Sequence, residues 1–131
     1  MIQATHDISD AQYTSPYYKY KNPISVTVAT DGTIVVSKNN GTPGPKAREK
    51  AREIFGDDVK FANGRDANYD HTRWEHTTNA PTHAEARGIH FLLKNGISVY
   101  KAKQATNILS CKFCRDLQDD WKLNNISGSV K

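Results

Sequence analysis

Two short clusters in the sequence hold residue types that can do chemistry together. One is His83-Ala84-Glu85 and the other is Ser110-Cys111-Lys112-Phe113-Cys114. Thiols spaced i, i+3 at the start of a helix share one face. The electropositive helix N-terminus favours their thiolate forms, and Ser110 is well placed to be the N-cap. Two thiolates and one imidazole make a three-ligand zinc site with its fourth position open. Catalytic zinc sites keep such a position for water, whereas structural ones usually close with four protein ligands. Zinc lowers the pKa of a water it binds to about 7. A carboxylate that is not itself a ligand can then move the protons. Glu85 is a carboxylate two residues from the candidate ligand His83.

His83 and Glu85 are spaced i, i+2, which on an ideal helix points them to different sides. Both can approach one site if they sit in the first turn, with Thr82 as the N-cap. Two helix N-termini then converge on one metal. His-x-Glu, a spacer and Cys-x-x-Cys form the signature of the zinc deaminases. The stretch from His83 to Cys114 resembles the bacterial toxin deaminases used in competition between cells, including cytosine deaminases that act on DNA. The turn Asn95-Gly96-Ile97-Ser98 is similar to that of members that act on double-stranded DNA. Two features depart from the family pattern. Ser110 stands where the signature usually has Pro, and a helix and strand at 45–62 precede the His-x-Glu helix.

The resemblance implies a three-layer α/β/α cytidine deaminase-like fold with a mixed sheet of about five strands. It implies Zn2+ held by His83, Cys111 and Cys114, with Glu85 as the proton shuttle. The implied reaction is hydrolytic deamination of cytosine to uracil in nucleic acid, with DNA favoured over RNA or a free nucleotide and strandedness open. It also implies a toxin domain at the end of a longer effector, delivered into the cytoplasm of a target cell and blocked by a cognate immunity protein. Ala84 and Ser110, beside the ligands, join the expected substrate contacts. So do Asn63, His71 and Trp74, from a long polar segment where rings could stack on a base.

Other readings of the same residues stay open. Thr82-His83-Ala84-Glu85 also fits a capping box, Thr-x-x-Glu, with no catalysis. Cys111-x-x-Cys114 could be a redox pair, although that leaves His83 unexplained. A closed structural zinc would need His71, His76 or His90 as fourth ligand, and His90 lies about 10 Å along a helix from His83. That closed form would serve a binding module rather than an enzyme. Loop histidines such as His71 and His76 are ordinarily just exposed.

The elements that must position these residues can be read from periodicity. Ile24, Val26 and Val28 alternate with Ser25 and Thr27, and Asp31-Gly32 suits a tight turn, so 24–38 reads as a hairpin. Pro45 can open a helix that carries Ala47, Ala51, Ile54 and Phe55 to Gly56. Residues 59–62 look like a short strand and 63–82 like a long polar loop. A helix is expected at 83–95, a strand at 104–109, a helix at 111–123 and a last strand at 126–130. Residues 1–22 show little periodicity and read as a lead-in segment, which leaves 23–131 as the domain.

Composition sets the outer bounds. The chain has 131 residues, 37% hydrophobic, which suits one domain with one core. It has no apolar run long enough for a membrane span and no secretory leader in residues 1–20. Lys+Arg 18 against Asp+Glu 14 gives a net charge of +4, compatible with a polyanionic partner. Two cysteines exclude a disulfide-stapled scaffold. A monomer is the simplest expectation.

Overall fold

The structure, a computed structural model, describes residues 2–39, 41–62, 83–107, 122 and 124–127. Its centre is a sheet ordered β3-β2-β1-β4-β5. β1 (Ile24–Val28) and β2 (Ile34–Lys38) form the expected hairpin, in a register that runs from Ile24↔Lys38 to Val28↔Ile34. Asp31 shapes the turn by accepting a hydrogen bond from the Thr33 backbone at 2.8 Å. Gly32 supplies a φ of +93°, which a residue with a Cβ rarely adopts. β4 (Lys103–Thr106) pairs antiparallel with β1, and β5 (Asn124–Ser127) pairs parallel with β4. At the other edge β3 (Lys60–Phe61) adds only two residues, parallel to β2. The ladder therefore rests on four strands of four or five residues, with β3 as a short edge. β2, β3, β4 and β5 all run one way, and β1 runs against them.

Helices cover both faces, so the fold is a three-layer α/β/α sandwich. α1 (Ile2–Gln12) and α3 (Pro45–Phe55) share one face, where Ile8, Ala47 and Ala51 pack on Ile24, Val26 and Val36. α4 (Ala84–Lys94) lies on the other, with Ala86, Ile89 and Leu92 against Val35 and Val99. No helix among the described residues is long and apolar enough to cross a membrane.

The reading of residues 1–22 as a lead-in segment needs correction. They form α1 and α2 (Pro16–Lys21), and α1 is built into the core with Ile8 at 0% exposure. The apolar stripe is missing from the sequence because Thr5, His6 and Ser9 share the buried face with Ile8. Gln12 at the end of α1 also completes α3. Its side-chain oxygen accepts from the backbone of Lys46 at 3.0 Å and Ala47 at 3.1 Å. These are donors that a helix start leaves unpaired. Gly44, the N-cap of α3, has no side chain to do this, and a Cβ there would collide with the Gln12 carboxamide. The strand expected at 104–109 begins and ends earlier, at 103–106, and the last strand begins earlier than expected, at Asn124, while 128–130 lie outside the described residues. The helix expected at 111–123 falls largely outside the described residues.

Candidate active site

The sheet face beneath α4 carries Val35 in its apolar core and, beside it, a row of polar side chains. Ser25, Thr27, Ser37, Gln104 and Thr106 point to that side and all are buried. Alternation in β1 therefore separates two buried environments instead of core from solvent. One is apolar, against α1 and α3. The other, under α4, is a row of hydroxyls and one carboxamide beside Val35. Buried polar groups need partners, and these find them across the layer. The Ser25 and Thr106 hydroxyls are 2.7 Å apart. Ser37 Oγ donates to the Ala84 carbonyl at 2.6 Å, and Gln104 Nε2 donates to the Glu85 carbonyl at 3.0 Å and to Thr27 Oγ1 at 2.8 Å. The first turn of α4 is thus pinned to the sheet by two strand side chains.

Gly88 permits that approach. A Cβ there would stand 2.6 Å from Thr27 Oγ1 and 3.2 Å from Ser37 Oγ. Helix and sheet meet at this point with backbone against side chain. One turn earlier lies the His83–Glu85 pair.

The N-cap of α4 is His83, with extended backbone at φ −67°, ψ 148°. This corrects the expectation that Thr82 caps the helix, and Thr82 itself lies outside the described residues. The capping-box reading falls with it, because Glu85 is then at N2 and a capping box needs its Glu at N3. His83 makes no side-chain capping bond. The correction also removes the obstacle of i, i+2 spacing. His83 sits outside the helical turn, so the 100° steps of a helix do not fix its direction relative to Glu85. His83 is half-buried and Glu85 is 4% exposed.

The topology gathers further segments at this edge. Ser37 and Thr106 both pair with Ser25, from opposite sides of β1. With neighbouring strands about 4.8 Å apart, they lie about 10 Å from each other. α4 begins over Ser37, and β4 ends at Thr106 in the same row. The chain leaves β4 at Asn107, whose Oδ1 accepts from Ile24 N at 2.7 Å and whose Nδ2 donates to Ser9 Oγ at 3.2 Å. Ser110, Cys111 and Cys114 follow and lie outside the described residues, as do Asn63, His71, Trp74 and His76. β3 ends at the same edge, one residue before Ala62 and two before Asn63. The described residues hold no group of three metal-binding side chains, and His83 is the one proposed ligand among them. Its extended cap position beside a buried carboxylate suits a ligand next to a proton carrier. In sheets of this kind ligands bind outside the carboxyl ends of the parallel strands. The edge with His83 and Glu85 is that end.

Two cations accompany the site and were not singled out from the sequence. Arg87 is buried on α4, one turn after His83, and Lys38 ends β2. Burial holds the Lys38 ammonium below its ordinary pKa, and repulsion from Arg87 adds to this. Lys38 Nζ donates to the Asn39 carbonyl at 3.2 Å. Neither Lys38, at the end of a strand, nor Arg87, inside a helix, carries a motif. Nor do Ser37 and Gln104, so periodicity alone marked them only as positions.

Comparison of the chain with protein-family models, curated proteins and solved structures returned no match.

Proposed function

We propose that this chain is a zinc-dependent deaminase that converts cytosine to uracil in nucleic acid, DNA before RNA. The observation that carries the reading is the start of α4. An extended His83 and a buried Glu85 are pinned at the strand edge from which the chain runs on to Cys111 and Cys114. His83, Cys111 and Cys114 would hold the metal, which when bound supplies water acidic enough to attack at neutral pH.

The rest is done by the protein. Glu85 takes a proton from the attacking water and delivers it to the ring nitrogen N3. The water oxygen bonds to C4, the C4–amine bond breaks, and the amine leaves as ammonia after receiving the second proton through the same carboxylate. Cytosine and water give uracil and ammonia. Burial of Glu85 excludes bulk water from this exchange. Ser37 and Gln104 hold the carbonyls of Ala84 and Glu85, so they fix the height of the catalytic turn over the sheet. Arg87 and Lys38 put positive charge near an anionic substrate. The same reading makes the chain the toxin domain of a longer effector that acts in a target cell and is held in check by an immunity protein.

The test is deamination read by sequencing, on single-stranded DNA, duplex DNA and RNA in parallel. Glu85→Gln should keep zinc and fold and lose turnover. Near-parental rates in Glu85→Gln would refute the proton-shuttle assignment. Zinc-loaded protein that converts no cytosine in any of the three polymers would move the reading to free nucleotides or to a zinc-stabilised binding module.

A further inference from the structure

α2 is the one helix among the described residues with no buried side chain. Its sequence, Pro-Tyr-Tyr-Lys-Tyr-Lys, leaves Tyr17, Tyr18 and Tyr20 exposed at 61%, 58% and 65%. Three large rings kept in water on six residues are not supporting a core. Two of the rings make contacts nonetheless. Tyr17 and Tyr18 meet edge to face at 5.4 Å, and Lys21 Nζ stands 5.7 Å from the Tyr17 centroid. Lys19 is held by Asp10 at 2.6 Å, Ser15 Oγ accepts from Tyr17 N, and Asn22 Nδ2 donates to the Tyr18 carbonyl. The helix is therefore a tethered, preformed surface.

Its place in the fold matters. Pro23 O accepts from Asn39 N, and Ile24 pairs with Lys38. α2 thus ends at the sheet edge where α4 begins with His83 and Glu85. Its chemistry selects a partner. Residues 11–30 include Lys19 and Lys21 and no Asp or Glu, and with Lys19 paired to Asp10 of α1 it is Lys21 that stands as the cation beside the rings. Residues 11–23 contain no Leu, Ile, Val, Met, Phe or Trp, so the aliphatic anchors of a protein-docking or membrane-inserting helix are missing. Exposed tyrosine rings with a lysine beside them suit unpaired bases, which stack on the rings while Lys21 meets a phosphate.

We propose that α2 is a stacking platform for a single strand of nucleic acid, which it leads toward the edge that holds His83 and Glu85. This rests on the deaminase reading for its direction, but binding itself needs no turnover. The experiment is fluorescence anisotropy with a labelled oligothymidylate of about 15 nucleotides, using the Glu85→Gln chain. Tyr17→Ala/Tyr18→Ala/Tyr20→Ala should weaken binding at least ~10-fold at an unchanged unfolding midpoint. The matching triple Phe variant should keep parental affinity. Tyr100→Ala is the control. Tyr100 is also exposed beside a lysine, Lys101, but it precedes β4 at the opposite end of the sheet. Its removal should change nothing.

The proposal falls if the parent does not bind the oligonucleotide. It falls if the triple Ala variant binds like the parent, or if Tyr100→Ala costs as much as the triple variant. Cytosine conversion by the parent, measured separately, keeps the two ideas apart. Conversion with no role for the tyrosines overturns the platform alone. Tyrosine-dependent binding with no conversion overturns the deaminase alone.

Discussion

Gly88→Ala should destabilise the protein even though Gly inside a helix is normally a weakness. At an open helical position the change gains about 1 kcal/mol. Here the new Cβ would stand 2.6 Å from Thr27 Oγ1, well inside the 3.4 Å at which ordinary contact begins. Thr27 cannot turn away freely, because its hydroxyl accepts from Gln104 Nε2 at 2.8 Å. Over-packing of this kind costs about 1–3 kcal/mol, and a lost buried hydrogen bond costs about 1 kcal/mol. The net loss is then about 2 kcal/mol, or a midpoint lower by roughly 5–10 °C. The same displacement would lift the first turn of α4 from Ser37 and Gln104, so deamination should fall as well. Thermal and urea unfolding give the stability, and the sequencing assay gives the activity. Thr27→Ala removes the nearest obstacle, so the double variant should cost about 1–2 kcal/mol less than the two single changes added together. A higher midpoint for Gly88→Ala, or strict additivity in the cycle, would refute the claim that this glycine sets the height of the helix.

Three further outcomes follow from the same geometry. Gln104→Met keeps the volume but removes the donor to Thr27 and Glu85, so it should cost about 1–3 kcal/mol in urea unfolding and reduce turnover more than substrate affinity. Gln12→Ala strips the acceptor from the start of α3 and should cost about 1 kcal/mol, with no effect on deamination rates. Lys38→Met should stabilise the protein at neutral pH. The folded state holds the Lys38 proton less tightly than the unfolded chain, so its cost is full below the lowered folded pKa and fades as pH rises toward 10.5. The advantage of Lys38→Met should therefore narrow in alkaline unfolding curves, and an advantage that widened would contradict the assigned burial and Arg87 repulsion.

Pinning of the proposed catalytic turn would link stability to function in a specific way. His83 precedes the regular helix as its N-cap, and the position of the first turn depends on what holds Ala84 and Glu85. Those holds come from Ser37 and Gln104 on different strands. A buried polar layer of this kind is costly if half satisfied and rigid when complete. Damage to the β2 or β4 polar positions should therefore reach the chemistry without touching a proposed ligand.

The local sequence was enough for the elements whose signals are short in range. Alternation and Asp31-Gly32 specify the β1–β2 hairpin, because the turn needs a residue that tolerates positive φ and the pattern sets the register. Pro45 and Gly56 bracket α3, since one presets a helical φ and the other takes up the left-handed exit. The order His83-x-Glu85 ahead of Cys111-x-x-Cys114 carries the deaminase proposal through its resemblance to the zinc-deaminase signature, while Cys111, Cys114, Ser110, Asn63, His71 and Trp74 stand outside the described residues. Other features needed partners far away in the chain. α1 has no apolar stripe to announce it, and it is buried because Ile8 meets Ile24 and Val36 while Gln12 caps a helix more than thirty residues on. Ser25, Thr27 and Ser37 look like the solvent side of a hairpin, yet α4 covers them, and only that cover turns them into the polar seat of Glu85. Capping at His83 rather than Thr82 is a matter of backbone angles. Periodicity reports the composition of each face, whereas what lies against that face is decided by contacts between residues distant in sequence, and those exist only once the layers have packed.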